Sequence, residues 1–411
     1  MSGLNLSNFA SAMKNYYSDK KIQNTIYPRH PWFALIKKEP NWVGQNFVQP
    51  VIWGTQNGDS ATFSTSISDL DNSRTTAFTV TDVSYYSQFK VSNQVILASG
   101  SDAGAFFKAA TFETDRALQK HALSLAMQLY RSGTGSMATI SSTATVASAT
   151  IILTNPEDIV NFQVGQTITA SATDGSSLRS GSAVISAVTR DAASVSISTT
   201  GGNWSTQISG LSTGDYLYQQ GNEANGGTNL LLSGMLAWLP TTAPSSTLFF
   251  GVNRSQDTVR LGGVRYANPG GLNIEEVCVG AVTEVYRNGG VPSLALMNPT
   301  QFRNLVNSLG SKCVFGERKV GEVGFKTVQI ATDGGFIDAI SDPDCPVAYG
   351  FIVDESTWYL LHRSPKLPNL FDADGKIYQR DFGNSDGITG YSYSYAQPVC
   401  TAPGFNAVVT W

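Results

Sequence analysis

Hydrophobic and polar positions alternate along much of this chain, and the period of the alternation changes only a few times. Between residues 44 and 98 the runs QNFVQPVIWGT, SATFSTSI and TAFTVTDVSYYSQFKVSN place apolar residues at every second position and are rich in Val, Phe, Thr and Tyr. Period two with this composition predicts strands. The polar cluster SDLDNSR, around Asp69 to Arg74, separates the runs as a turn. The segment therefore reads as one long two-stranded hairpin. A hairpin alone is marginal in water, so it is expected to lean on another surface.

The period then changes to that of a helix. Over residues 103–131, Phe107, Ala110, Thr114, Ala117, Leu118, Leu125 and Leu129 recur at helical spacing, with Phe106, Ala109, Leu123, Ala126 and Tyr130 on a second flank. Ser99 or Ser101 is placed to cap this run, Asp102 sits near the positive end of its dipole, and Gly133 and Gly135 stop it. At 1.5 Å per residue it would be roughly 40 Å long.

From 134 to 216 the short runs ATIIL, FQVGQTITA, SAVISAVTR and SVSISTT alternate with turns, and only NPEDIVNF carries a helical signal. Strands at this spacing predict a small barrel or sandwich. The composition shift on both sides marks it as an inserted domain. Residues 217–265 are mixed, with GMLAWLP as an apolar anchor. Over 266–361 helices and strands alternate: IEEVCVGAVTEVYR is amphipathic, SLALMN is a buried strand, and NPTQFRNLVNSLG is a helix started by Pro299 and capped by Asn298. KTVQIAT and YGFIVD are further strands. The last fifty residues read as long strands joined by Asp-Gly turns. Residues 1–43, broken by Pro28, Pro31 and Pro40, cannot form their own core and read as an arm.

Composition narrows the function classes. The 411 residues exceed one simple core. Charged residues make up 14% of the chain, well under the usual ~25%, which suits a surface buried against partners or a Ser/Thr-rich β protein. The net charge is −4, with no basic run longer than Lys20-Lys21 or Lys37-Lys38, so clustered positive charge for tight DNA binding is absent. No stretch of 18 apolar residues exists to span a membrane, and the N-terminus lacks an apolar signal core. The cysteines Cys278, Cys313, Cys345 and Cys400 have no metal or CxxC spacing.

Candidate chemistry is thin. Of three histidines, His121 lies mid-helix with no ligand partner four residues away, and reads as structural. The run from His362 to Asn369 has the spacing of a kinase catalytic loop, and Asp381-Phe382-Gly383 follows, but Ser364 stands where the base belongs. Asp372-Ala373-Asp374-Gly375 and Asn384-Ser385-Asp386-Gly387 fail as calcium loops and read as turns. The acidic run from Asp342 to Pro346 reads as a loop tip. No constellation supports an enzyme, and no cofactor or metal site is expected.

The order of elements carries the informative signal. Pro31-Trp32-Phe33-Ala34-Leu35-Ile36-Lys37-Lys38 followed by Val43-Gly44, the hairpin over 46–93, and the helix over 101–131 come in that order. So do Asp215-Tyr216-Leu217-Tyr218, Gly234-Met235-Leu236-Ala237-Trp238-Leu239-Pro240, Leu296-Met297-Asn298-Pro299 with Gln301-Phe302, the run from Asp342 to Pro346, and Ala402-Pro403-Gly404. This order resembles the tailed-bacteriophage major capsid proteins of the HK97-type fold, in a podovirus-like subgroup with an inserted β domain. The resemblance covers nearly the whole chain.

It implies an α+β fold: an N-terminal arm (1–43), an extended hairpin or E-loop (44–98), the spine helix of a peripheral domain (99–136), an inserted small all-β domain (137–214), the peripheral domain continued (215–265), a central axial α/β domain (266–361) and C-terminal peripheral strands (362–411). It also implies self-assembly into hexamers and pentamers of an icosahedral head, assembled in the cytoplasm of a bacterial host around dsDNA held without sequence-specific contacts. Its expected partners are further copies of itself, a portal protein at one vertex, a separate scaffolding protein or none, because only some forty residues precede the hairpin, and a decoration or cement protein. Candidate inter-subunit contacts are Trp32, Phe33, Asp69, Asp71, Arg74, Asp342 and Asp344. The tip has no lysine, so the Lys–Asn cross-link of some members is not expected. An encapsulin-like nanocompartment shell is the alternative, and a phage tail or fibre protein a more distant one.

Overall fold

The structure, a computed structural model, describes residues 30–98, 109–191, 196–224, 228–310, 313–320, 323–364, 366–371, 378–380 and 386–411. The expected helix cap at Ser99 or Ser101, the arm before His30, and the turns at 372–375 and 384–385 lie outside them. The described residues form two compact units, one from residues 83–125 and 362–396, the other from 30–82, 126–361 and 397–411.

In the first unit, strand Val83–Ser92 pairs antiparallel with the long terminal strand Gly387–Cys400, from Val83 opposite Ala396 to Ser92 opposite Gly387. Short strands Asn369–Leu370 and Gln379–Arg380 pair with the same terminal strand. Alternation along it puts Tyr391, Tyr393 and Tyr395 on one face and Ser392 and Ser394, both buried, on the other. Helix Ala109–Gln128 supplies Ala117 to a small core with Phe89, Val91 and Val95.

Among the described residues, the second unit holds one hydrophobic core in a barrel and another beneath a mixed sheet, apart from the aromatic packing of Phe78 on Trp238. The first belongs to strands Ser136–Thr139, Tyr216–Gln219, Thr167–Thr173, Ala183–Thr189, Ser196–Thr199 and Thr150–Ile152, paired antiparallel in that order. An Ile140–Leu153 bridge joins the first strand to the last, closing the sheet into a small barrel. Trp204, Phe162, Ile140 and Ile151 fill it. The chain leaves for this barrel just after the long helix and comes back beside it: Met235 N donates to Leu129 O at 2.7 Å and Leu236 N to Tyr130 O at 3.3 Å. Returning backbone thus satisfies the two carbonyls just past the helix end at Gln128. The glycine stop expected at Gly133 and Gly135 lies beyond that end, in the linker.

The second core lies between a seven-stranded mixed sheet and two helices. The strand order is Val264–Ala267, Ala407–Thr410, Tyr349–Val353, Leu294–Met297, Gly335–Ser341, Val323–Thr332, Val314–Val320. Helix Ile274–Arg287 begins where Asn273 N meets the Glu276 carboxylate at 3.0 Å, and helix Pro299–Leu309 where the Asn298 side chain accepts from Thr300 N at 2.9 Å. Their apolar faces, including Val277, Ala281, Val285 and Leu305, cover the sheet. Strand Ala407–Thr410 is thus part of this sheet, where the sequence placed it with the peripheral strands. Its Ala-Val-Val run, buried on both faces, suits the sheet interior.

The hairpin departs from its sequence reading in two ways. Strand Asn46–Gly54 pairs with Arg74–Thr81 only. At Asp82 the chain leaves that partner, and Val83–Ser92 joins the terminal strand instead. The run SATFSTSI contains a helix, Phe63–Ser68, in the span between the strands. Phe63, Ile67 and Leu70 have the i, i+4, i+7 spacing of one helical face, a pattern that the Ser/Thr alternation hides.

Candidate assembly surface

Large apolar side chains left in solvent are the first place to look for a surface meant to be covered. The base of the hairpin is well held: Phe78 and Val80 are fully buried, Phe78 meets Trp238 edge-on at 5.0 Å, and Tyr359 Oη donates to Gln49 Oε1 at 2.6 Å. Towards the tip this changes. Phe63 is 83% exposed, Leu70 70% and Ile67 58%, all on the tip helix and the turn after it. On the outward face of the hairpin, Ile52 is 75% exposed and lies opposite Thr75. Asp69, Asp71 and Arg74 surround this apolar tip and are exposed, with Arg74 paired to Asp71 at 2.9 Å. A polar rim around an apolar centre is the arrangement of a protein–protein contact.

The remaining expected contact residues lie elsewhere. Trp32 is buried and stands edge-on to Trp358 at 6.2 Å, and Asp342 and Asp344 are buried too. None of the three offers a surface to a neighbour. Phe33 is half-buried under the Lys38 ammonium, 4.5 Å from the ring centroid. The run from Asp342 to Pro346, expected as a loop tip, is an internal structural knot. Asp342 Oδ2 accepts from Tyr130 Oη at 2.7 Å and from Trp32 N at 3.0 Å, Oδ1 accepts from Asp344 N at 3.0 Å, and Asp344 Oδ2 lies 2.6 Å from His30 Nδ1.

Burial, and then the charge of Asp344, push the Asp342 carboxyl up to about 7 against the donors that favour its ionised form. Burial opposes the charged form of His30, yet its hydrogen bond to Asp344 and the charges of Asp344 and Asp342 leave it raised. Sequence spacing could not show this cluster, because its members come from residues 30, 32, 130, 342 and 344. Among the described residues, no group of three or more His, Cys, Asp or Glu side chains is placed to hold a metal. None of the described helices is long and apolar enough to cross a membrane.

No family model and no curated protein matches the sequence. Among solved structures, a chain of the cyanophage A-1(L) capsid asymmetric unit matches over 97% of this chain and 97% of its own length, at 9% identity and a TM-score of 0.56. This is the fold of a phage capsid subunit. The α+β, HK97-type capsid fold expected from the order of elements is the one the chain adopts. The holo-SrpI encapsulin complex of Synechococcus elongatus PCC 7942 matches over 100% of this chain and 96% of its own at 10% identity, with a TM-score of 0.46. The capsid of the native GTA particle matches over 98% of each chain at 11% identity, with a TM-score of 0.46.

Within the capsid fold, exposed apolar side chains occur in the hairpin and the seven-stranded sheet, and also at Val43, Leu97, Val164 and Leu248. Besides the hairpin tip, Phe315 on the edge strand Val314–Val320 and Phe336 at the start of strand Gly335–Ser341 are largely exposed.

Proposed function

We propose that this chain is the major capsid protein of a tailed bacteriophage, assembling with copies of itself into the hexamers and pentamers of an icosahedral head that encloses dsDNA. The observation that carries the reading is the hairpin tip, where Phe63, Ile67 and Leu70 stand in solvent at the end of an anchored two-stranded arm, in a chain with a capsid subunit's fold. A free monomer gains nothing from presenting three large apolar groups this way; a lattice in which every copy covers its neighbour buries all of them. The role is structural and non-enzymatic, and the protein's place is the virion capsid after assembly in the bacterial cytoplasm.

In this reading strands Asn46–Gly54 and Arg74–Thr81 with the tip between them are the E-loop, and helix Ala109–Gln128 is the spine helix. The barrel over 137–214 is an inserted domain that can meet neighbouring inserts or receive a decoration or cement protein. A portal protein occupies one vertex, and a separate scaffolding protein guides assembly. The negative net charge favours DNA that is enclosed without being held.

The test is negative-stain microscopy of the expressed chain, alone and with the scaffolding protein of the same phage. Icosahedral particles are expected; monodisperse small oligomers under both conditions would overturn the reading. Particles recovered from producing cells with a packaged enzyme in place of dsDNA would point to an encapsulin-like compartment instead.

A further inference from the structure

The knot around Asp342 ties three distant parts of one unit together. The segment from His30 to Ile36 enters it with Trp32 and His30, the end of the long helix with Tyr130, and the loop after strand Gly335–Ser341 with Asp342 and Asp344. Beyond the knot the first of these, a strap, is held by the Trp32–Trp358 contact and by three register pairs, Lys37 with Tyr359 through Glu39 with Leu361.

We propose that this cluster is a proton-operated latch on the N-terminal strap, closed while Asp342 and His30 carry protons and loosened when they lose them. The geometry sets the direction. Asp342 and Asp344 are both buried and two residues apart, with Asp344 N donating to Asp342 Oδ1 at 3.0 Å. Protonated His30 is the only cation in hydrogen-bond contact with either carboxylate among the described residues. No other described titratable neighbour puts a cation in hydrogen-bond contact with the two carboxylates. Tyr130 and Cys345 are fully buried and pushed up by burial, so both stay neutral, and the Arg131 guanidinium is taken by Asp158 at 2.7 Å.

When the protons leave Asp342 and His30 for solvent, two buried carboxylates face each other without a counter-cation. Lifting the strap then lets water reach them. Both groups hold their protons more tightly in the closed knot than in an exposed chain, so closure binds protons and weakens as pH rises. For Asp342 the window runs from 3.8 to about 7. His30 extends it above 6.5.

The latch does not depend on the shell reading, and it can be tested on the full-length chain in solution. Hydrogen–deuterium exchange of peptides covering 30–39 is followed from pH 5.5 to 7.5, corrected for intrinsic exchange, with helix Ile274–Arg287 as internal reference. Opening of the strap is expected to rise at least tenfold across this range while the reference stays level. Asp342→Asn removes one titrating proton and should flatten the dependence. His30→Gln removes the cation and should give, already at pH 5.5, the weaker protection that the unaltered chain shows at 7.5. A flat profile in the unaltered chain overturns the latch. So does an unchanged pH slope in the Asp342→Asn chain, or full protection at pH 5.5 in the His30→Gln chain.

Discussion

The His121 imidazole is held by Ser394, with Nε2 2.9 Å from the Ser394 hydroxyl. Its Nδ1 lies 2.8 Å from Ser392 Oγ, and Tyr85 meets the ring edge-on at 5.1 Å between centroids. Two hydroxyls and an aromatic edge satisfy a neutral ring and offer no anion to a charged one. Burial accordingly depresses its pKa from 6.5 to about 4. For a base depressed in the folded state, the unfolded chain takes up the proton first. Stability is therefore complete above pH 6.5 and is lost as pH falls from 6.5 towards 4. The full shift corresponds to roughly 3 kcal/mol at most. Exchange protection of residues 112–125 should fall across this acid range, and His121→Gln should remove the step. Over the same pH range the strap at 30–36 is expected to move in the opposite sense.

His121 also shows how far the sequence reaches. Helical spacing placed it mid-helix, and the lack of a partner four residues away marked it as structural. The alternation Tyr391-Ser392-Tyr393-Ser394-Tyr395 puts both serines on one strand face. What no local pattern shows is that this face meets the helix, since the partners are 271 and 273 residues apart. The same holds for the knot. Asp342 and Asp344 are visible as an acidic, proline-flanked run, and such runs are usually exposed turns. Only the donors Tyr130, Trp32 and His30, brought from far along the chain, make burial tolerable. The tip helix failed for a local reason: Ser and Thr between the apolar positions imitate a strand. Helices Ile274–Arg287 and Pro299–Leu309 were legible because cap, periodicity and stop agree within one short window.

Tyr130→Phe removes the O–H that Asp342 Oδ2 accepts at 2.7 Å inside the fold. The ring contact with Phe351 survives, so the loss is one buried hydrogen bond, about 1–3 kcal/mol. That bond favours the ionised carboxylate. The penalty is therefore expected to be larger at pH 8 than at pH 5 in urea titrations of the two chains. An equal penalty at both values would show that the carboxyl does not change state between them.

Gly234 sits where the returning chain presses on the helix end. A Cβ there would lie 2.4 Å from both Gln128 O and Leu129 O, backbone atoms that cannot swing aside. Gly234→Ala must displace the turn and with it the Met235 N–Leu129 O bond, at about 3 kcal/mol or more, the upper end of overpacking costs. Gly214 is the control: it has a φ of +82° but no atom within 4 Å of the added carbon. Gly214→Ala should cost only about 1 kcal/mol, from backbone strain alone. Thermal unfolding of both chains checks the order, and equal losses would mean that space at the helix end is not limiting.

The hairpin tip separates folding from assembly. Phe63, Ile67 and Leu70 are mostly in solvent, so replacing all three by serine removes little that the isolated subunit buries. Surface changes of this kind are usually within about 0.5 kcal/mol of neutral. The melting curve of the unassembled Phe63→Ser/Ile67→Ser/Leu70→Ser chain should therefore overlay that of the unaltered one. Burying three such side chains against a neighbour is worth on the order of 1.5–3 kcal/mol each, repeated at every contact of a closed shell. Loss of that energy is expected to abolish particles in sedimentation and negative-stain microscopy while leaving soluble, folded subunits. Arg74→Ala, which breaks the exposed Asp71 pair at 2.9 Å and the guanidinium contact over the Trp53 ring, should weaken assembly far less, since exposed ion pairs contribute about 0–1 kcal/mol and exposed cation–π contacts about 0.5–1 kcal/mol. Normal particles from the triple-serine chain would remove the tip from the assembly surface and leave the exposed edge around Phe315 and Phe336 as the place to test next.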